Sequence, residues 1–205
     1  MALSDEAVQA IRAGELVVLP TDTVYGIAAD AFSAAAVARL LAAKGRDRTM
    51  PPPVLVADTS TIAALAIDVP SWLTRMLEEL WPGPLTVVCR AQPSLTWDLG
   101  ETRGTVALRV PDNDMARDLL RVTGPLAVSS ANLTGQPPAT SVESAKAMLG
   151  DTVAVYVDGG PSGEPGASTI LDATTTPPRV LRAGVISLDR LHEFNNTIEG
   201  LPADA

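Results

Sequence analysis

Apolar residues in this chain fall into short runs, and the spacing within each run sets the element it predicts. Residues 4 to 13 repeat at helical intervals, with Ser4 as N-cap, Asp5 and Glu6 in the first turn, and Gly14 as the stop. Residues 15 to 20 (ELVVLP) read as a short strand. Ser33 caps a predicted helix carrying Val37, Leu40 and Leu41 that ends near Lys44, and the prolines at 51 to 53 forbid its continuation. Further helices are predicted over 59–66, 71–80, 112–122 and 141–149. Apolar, β-branched runs predict strands over 53–57, 85–89, 105–110, 125–129, 152–157, 167–172 and 179–182. Strands alternating with helices early, then closely spaced strands late, predict an α/β fold: a twisted mixed sheet with helices on its faces. No linker divides the chain, so one domain over 1–187 is expected, followed by a polar, partly ordered tail over 188–205.

Composition narrows the chemistry. Hydrophobic residues make up 46% of the chain but aromatics only 3%, so Ala, Val and Leu must fill the core. Cys89 is the single cysteine and sits in an apolar strand, where a buried structural thiol is expected rather than a nucleophile. With His192 as the single histidine, neither a His/Cys metal site nor a Ser-His-Asp triad has its parts. The acidic N-terminus lacks a signal peptide pattern, and no apolar run approaches the roughly 18 residues of a membrane span. A cytoplasmic protein is therefore expected. A net charge of −9 disfavours nucleic-acid binding through phosphate contacts as the main activity.

Several polar segments sit where strands end. Thr21-Asp22-Thr23-Val24-Tyr25-Gly26 follows the first strand, where ligands of α/β sheets collect, although the same residues also suit an ordinary capped turn. Lys44, Arg46 and Arg48 alternate just after a helix; in an extended segment three cations would share a face and converge on an anion. A solvated basic patch is the commoner fate of such a cluster, but in so acidic a chain it needs a reason. Trp81-Pro82-Gly83-Pro84 is rigid turn chemistry that places Trp81 on the core. Thr105, Ala107 and Arg109 share one face of their strand, and Arg109 suits either a carboxylate of the fold or a substrate. Ser129-Ser130-Ala131-Asn132 closes another strand with short hydrogen-bonding side chains. The glycine-rich stretch from Gly159 to Thr169 lacks the Gly-Lys-Ser/Thr of a Walker loop, and no dinucleotide-binding GxGxxG is present.

In order along the chain, PTDTVYG (20–26), KGRDR (44–48), WPGPLT (81–86), VALRVP (106–111), SSAN-x-x-G (129–135), DGG (158–160), GAST (166–169) and LRAG (181–184) resemble the YrdC/TsaC family of L-threonylcarbamoyladenylate synthases. The resemblance spans about residues 5 to 187. It implies a twisted α/β sheet with a large concave cavity, and a reaction in which L-threonine, bicarbonate (or CO2) and ATP give threonylcarbamoyl-AMP and pyrophosphate. The product would serve threonylcarbamoylation of adenosine 37 in tRNA, by hand-off to a transferase complex of the TsaD, TsaB and TsaE type. Carried over by position, Lys44 and Arg46 are the implied catalytic residues. Thr23, Arg109, Ser130 and Ser168 are the implied threonine-site residues. Lys44, Arg46, Thr105, Asn132, Thr140 and Arg182 fall where the family contacts ATP. Mg²⁺ is expected to arrive with ATP rather than on protein side chains.

This chain departs from the family in three places. Asp47 stands where many relatives have proline and is expected to pair with Arg48. Leu55 stands where some relatives place a histidine against threonine. A second C-terminal domain found in longer relatives does not fit the length. Two other readings are an RNA-binding module without synthase activity, against which the charge argues, and a carbamoyl-transfer domain of the kind found in larger hydrogenase-maturation proteins, whose zinc-finger cysteines are missing here.

Overall fold

One continuous sheet organises the computed structural model, which describes residues 5–162 and 166–202. The strands are β1 (Val17–Leu19), β2 (Gly26–Asp30), β3 (Val54–Leu55), β4 (Ala66–Ile67), β5 (Leu85–Ala91), β6 (Thr105–Arg109), β7 (Leu126–Ser130), β8 (Val155–Tyr156), β9 (Thr169–Asp172) and β10 (Arg179–Arg182). They run in the order β10-β9-β5-β6-β3-β7-β2-β1-β8, with β4 added beside β5. The pairs β1–β8, β3–β6 and β5–β9 are parallel and the remainder antiparallel, so the sheet is mixed as the pattern predicts. The helices are α1 (Asp5–Arg12), α2 (Ala34–Ala43), α3 (Ile62–Leu65), α4 (Ser71–Leu80), α5 (Asp114–Thr123), α6 (Val142–Leu149) and α7 (Leu188–His192).

Successive strand residues point to opposite faces, and each face finds its own cover. Val17, Leu19 and Ala28 pack with Val8 and Ile11 of α1 and Leu119 and Leu120 of α5. Their neighbours Val18, Ile27 and Ala29 pack on the other side with Leu40 of α2 and Ala145 and Leu149 of α6. Double cover explains why these strands are apolar without alternation. It also explains why β2 escaped the pattern: Gly26–Asp30 is short, small and buried, and it begins inside a segment read as a turn.

Helix ends follow their capping chemistry. The Ser33 hydroxyl accepts from Ala36 N, the Asn113 side chain from Ala116 N, and Ser141 and Ser144 form a reciprocal capping box. The Ser4 cap and residues 163 to 165 of the glycine-rich stretch lie outside the described residues. Two readings are corrected. The segment 59–66 is a 3-10 turn (Thr59–Thr61), the single-turn α3, and the start of β4, rather than one helix. Beyond 188 the chain is no polar tail: α7 forms, and Leu191 and Ile198 are buried in the main core, because apolar positions at 188, 191, 194 and 198 form one face. Trp81 is buried as expected, its indole N–H donating to Leu85 O at 2.7 Å.

Candidate active site

The turn between β1 and β2 is closed by its own hydroxyls. Thr21 Oγ1 donates to Val24 O at 2.6 Å, accepts from Thr23 N at 3.2 Å, and lies 3.1 Å from Thr23 Oγ1. At its end, Tyr25 is fully buried and donates its hydroxyl to Gly160 O at 2.6 Å while accepting from Gly159 N at 3.0 Å. That tie draws the Asp158-Gly159-Gly160 loop against the turn, and burial pushes the phenol above its usual range.

Arg109 ends β6 beside this turn. Its Nε donates to Gly83 O at 3.0 Å, one terminal nitrogen to Thr23 Oγ1 at 3.1 Å, and the other to Asp22 Oδ1 at 2.6 Å. The rigid Trp-Pro-Gly-Pro turn thus supplies the carbonyl that sets its orientation. On the neighbouring strand β5, Thr86 Oγ1 lies 2.9 Å from Ser168 Oγ, both residues buried. Arg182 forks onto Ser168, with bonds of 3.0 and 2.8 Å to its carbonyl and 2.8 Å to its hydroxyl. Gly184 makes this approach possible, since a Cβ there would stand 2.3 Å from Ala167 O and 2.4 Å from Thr169 N.

The basic segment divides its charges. Lys44 is 1% exposed, and its ammonium donates to the carbonyls of Ser130 and Asn132 (2.6 Å for the latter) and to Asn132 Oδ1 at 3.4 Å. Burial, then the nearby Arg46 charge, pulls its pKa down to about 8. Arg46 turns into the cavity, bonds Ser129 Oγ at 3.1 Å, and leaves a buried Nε without a partner. Arg48 points outward to Asp98 at 2.7 Å. Asp47 accepts from Thr49 N at 2.9 Å and from its hydroxyl. The expected convergence of Lys44, Arg46 and Arg48, and the expected Asp47–Arg48 pair, are therefore both corrected: the helix C-cap at Lys44 and the left-handed Gly45 (φ +64°) rotate the segment out of an extended path.

The cations that do converge come from distant segments. Arg46, Arg109 and Arg182 line one cavity of about 830 Å³ together with Thr23, Thr105, Ser130, Thr140 and Ser168. Burial, then Arg109 and Arg46, lowers the Arg182 pKa, so Arg182 lies within the field of the other two. Of the ten residues singled out from the sequence, Lys44 and Asn132 do not line the cavity. Asn132 Nδ2 instead donates to Leu133 O and Gln136 O, both at 2.8 Å, and holds the loop after β7. Thr21 and Ser129, which lie in segments singled out from the sequence but were given no role of their own, also line the wall; sequence reasoning missed Thr86, a hydroxyl between Leu85 and Val87 with no local signal. Leu55 is part of an apolar wall with Val88, Val128 and Ile170, and Pro51, Pro52, Pro137, Pro138 and Leu181 complete the lining. Three cations, of which Arg109 is buried, Arg46 half-buried and Arg182 more exposed, share this cavity with a ring of serine and threonine hydroxyls, which suits a polyanion beside a small polar molecule.

The Sua5/YciO/YrdC family, described as "Telomere recombination", matches residues 9–184. The chain belongs to this family. Within it, a Mycobacterium tuberculosis protein provisionally named threonylcarbamoyl-AMP synthase is 54% identical over 187 residues, covering 91% of this chain and 86% of that one. The Bacillus subtilis threonylcarbamoyl-AMP synthase is 36% identical over 188 residues, and the match spans 54% of its length. A crystal structure of Pyrococcus abyssi Sua5 complexed with L-threonine has a TM-score of 0.91 at 33% identity, covering 96% of this chain and 58% of that one. As a Sua5/YciO/YrdC protein the chain has the twisted α/β sheet expected of it, and every residue lining the cavity, from Thr21 to Arg182, lies within the matched region.

Proposed function

We propose that this protein is a threonylcarbamoyl-AMP synthase whose cavity joins L-threonine, bicarbonate or CO2, and ATP. The observation that carries this reading is the meeting of Arg46, Arg109 and Arg182 with Thr21, Thr23, Thr86, Ser129 and Ser168 in a space of about 830 Å³. Such a volume holds a nucleotide and an amino acid together.

The chemistry needs no protein nucleophile. The threonine amine, after losing its ammonium proton, bonds to the carbon of CO2 and gives a carbamate. A carbamate oxygen then attacks the α-phosphorus of ATP, and the bond to pyrophosphate breaks. Catalysis of this kind rests on positioning and on stabilising phosphoryl charge. In this reading Arg46 and Arg182 face the phosphates, since neither has a carboxylate partner among the described residues. Arg109 takes the threonine carboxylate, and the Thr23, Thr86 and Ser168 hydroxyls surround the substrate side chain. Lys44 acts by fixing the carbonyls of Ser130 and Asn132, which shape the wall opposite. ATP enters as its Mg²⁺ complex. Cys89 takes no part: it lies outside the cavity, and burial, then Asp172, pushes its thiol up to about 12. The product passes to a threonylcarbamoyl-transferase complex of the TsaD, TsaB and TsaE type for tRNA modification.

Pyrophosphate release measured with each substrate omitted in turn tests the assignment. Release is expected only when ATP, threonine and bicarbonate are all present. Equal release without threonine would overturn the reading.

A further inference from the structure

Asp22 lies next to the site without lining it. The cavity wall includes Thr21, Thr23 and Arg109, while Asp22 stands behind Arg109 and binds it at 2.6 Å. Both side chains are nearly sealed, at 12% and 8% exposure. The second carboxylate oxygen, Oδ2, is buried and has no hydrogen-bond partner. A buried carboxylate placed for stability alone would have both oxygens met, because an orphaned charged acceptor is costly. The placement therefore serves the group it holds.

That group is tightly defined. A guanidinium has five N–H donors. Three of those on Arg109 are taken, by Gly83 O, Thr23 Oγ1 and Asp22 Oδ1, which leaves two, the number a carboxylate fork uses. Charge points the same way. Arg46, Arg109 and Arg182 face one cavity, and their mutual repulsion is felt at Arg182. Among the described residues, Asp22 is the carboxylate ion-paired to any of the three. It offsets one of the three charges and, with Gly83 O and Thr23 Oγ1, fixes the direction of the Arg109 guanidinium.

We infer that Asp22 is a positioning residue for amino-acid selection: by holding Arg109, it makes the site choose substrates that carry a free α-carboxylate. This rests on the reading that Arg109 receives the threonine carboxylate.

The test compares kcat/KM for L-threonine and L-threoninamide, read by pyrophosphate release, in the wild type, in Asp22→Asn and in Asp22→Glu. The wild type is expected to prefer threonine by at least a hundredfold. In Asp22→Asn the preference should drop at least tenfold, through a raised KM for threonine with little change for threoninamide. Asp22→Glu keeps the charge but moves the guanidinium, and should also lose at least tenfold of the preference; it decides the matter if the Asn variant does not fold. A preference unchanged in a folded variant, with both substrates losing rate in proportion, overturns the inference and leaves the Arg109 reading standing. No preference in the wild type overturns the Arg109 reading and the inference with it.

Discussion

Two of the hollows on this protein differ in how their polar groups are met. The second, of about 430 Å³, lies around Asp68, Cys89, Arg90, Thr174 and Asn195. Several of its hydroxyls are taken up within their own turns: Thr174 bonds Asp172 through N and Oγ1 at 2.9 and 2.6 Å, Thr175 bonds Pro177 O at 2.8 Å, and Thr197 bonds Asn195 Oδ1. The larger cavity instead keeps two cations without carboxylates, and two of the three buried unpartnered side-chain atoms among the described residues, Arg46 Nε and Asp22 Oδ2, belong to it or stand directly behind it. A hollow whose polar groups satisfy one another is a gap between turns. One whose polar groups are left unmet is built for something that arrives.

The sharpest way to break this contrast is Arg46→Ala. Loss of one preorganised charge should cut kcat/KM about 10²- to 10³-fold, or about 3–4 kcal/mol, with little change in thermal unfolding. A loss below tenfold would remove the unpaired cation from the argument. Gly184→Ala comes next. Its Cβ would strike backbone at 2.3 Å, so the Ser168 segment and the Arg182 fork must shift. Denaturant unfolding should show a cost of about 1–3 kcal/mol, accompanied by reduced pyrophosphate release.

Lys44 tests the boundary between support and site through pH. Its folded-state pKa of about 8 lies below the usual 10.5, so between these values the unfolded chain binds the extra proton and stability rises with pH. The unfolding free energy of the wild type should gain on that of Lys44→Met by up to about 3 kcal/mol across that window. A difference that stays constant across that window would mean that the amine keeps its proton in the fold. The smallest effect belongs to the second hollow, where Thr175→Val should cost no more than about 1 kcal/mol and leave activity unchanged. Any clear loss of activity there would make the second hollow a site as well.

The residues explain what was legible beforehand. Helix α4 was readable at both ends because Pro70 and the Trp81-Pro82 turn bracket it, and α6 because Ser141 caps it. Strand β2 was not, since small buried residues carry neither alternation nor length. Individual site residues could be named from ordered motifs, but their arrangement could not. Lys44, Arg46 and Arg48 are adjacent in sequence and diverge in space, whereas Arg46, Arg109 and Arg182 meet only because β3, β6 and β7 are neighbours and β9 lies parallel to β5. Strand pairing over such separations leaves no local trace in a chain.

Strand β3 has one more consequence, a mechanical one. It is two residues long, yet the whole sheet passes through it: β10, β9, β5 and β6 lie to one side, β7, β2, β1 and β8 to the other. It is a narrow isthmus between two broad plates. Arg109, Thr86 and Ser168 stand on one plate, Thr23 and Ser129 on the other, and the cavity straddles the join. Whatever grips both plates at once acts as a rivet, stiffening the sheet across this two-residue join.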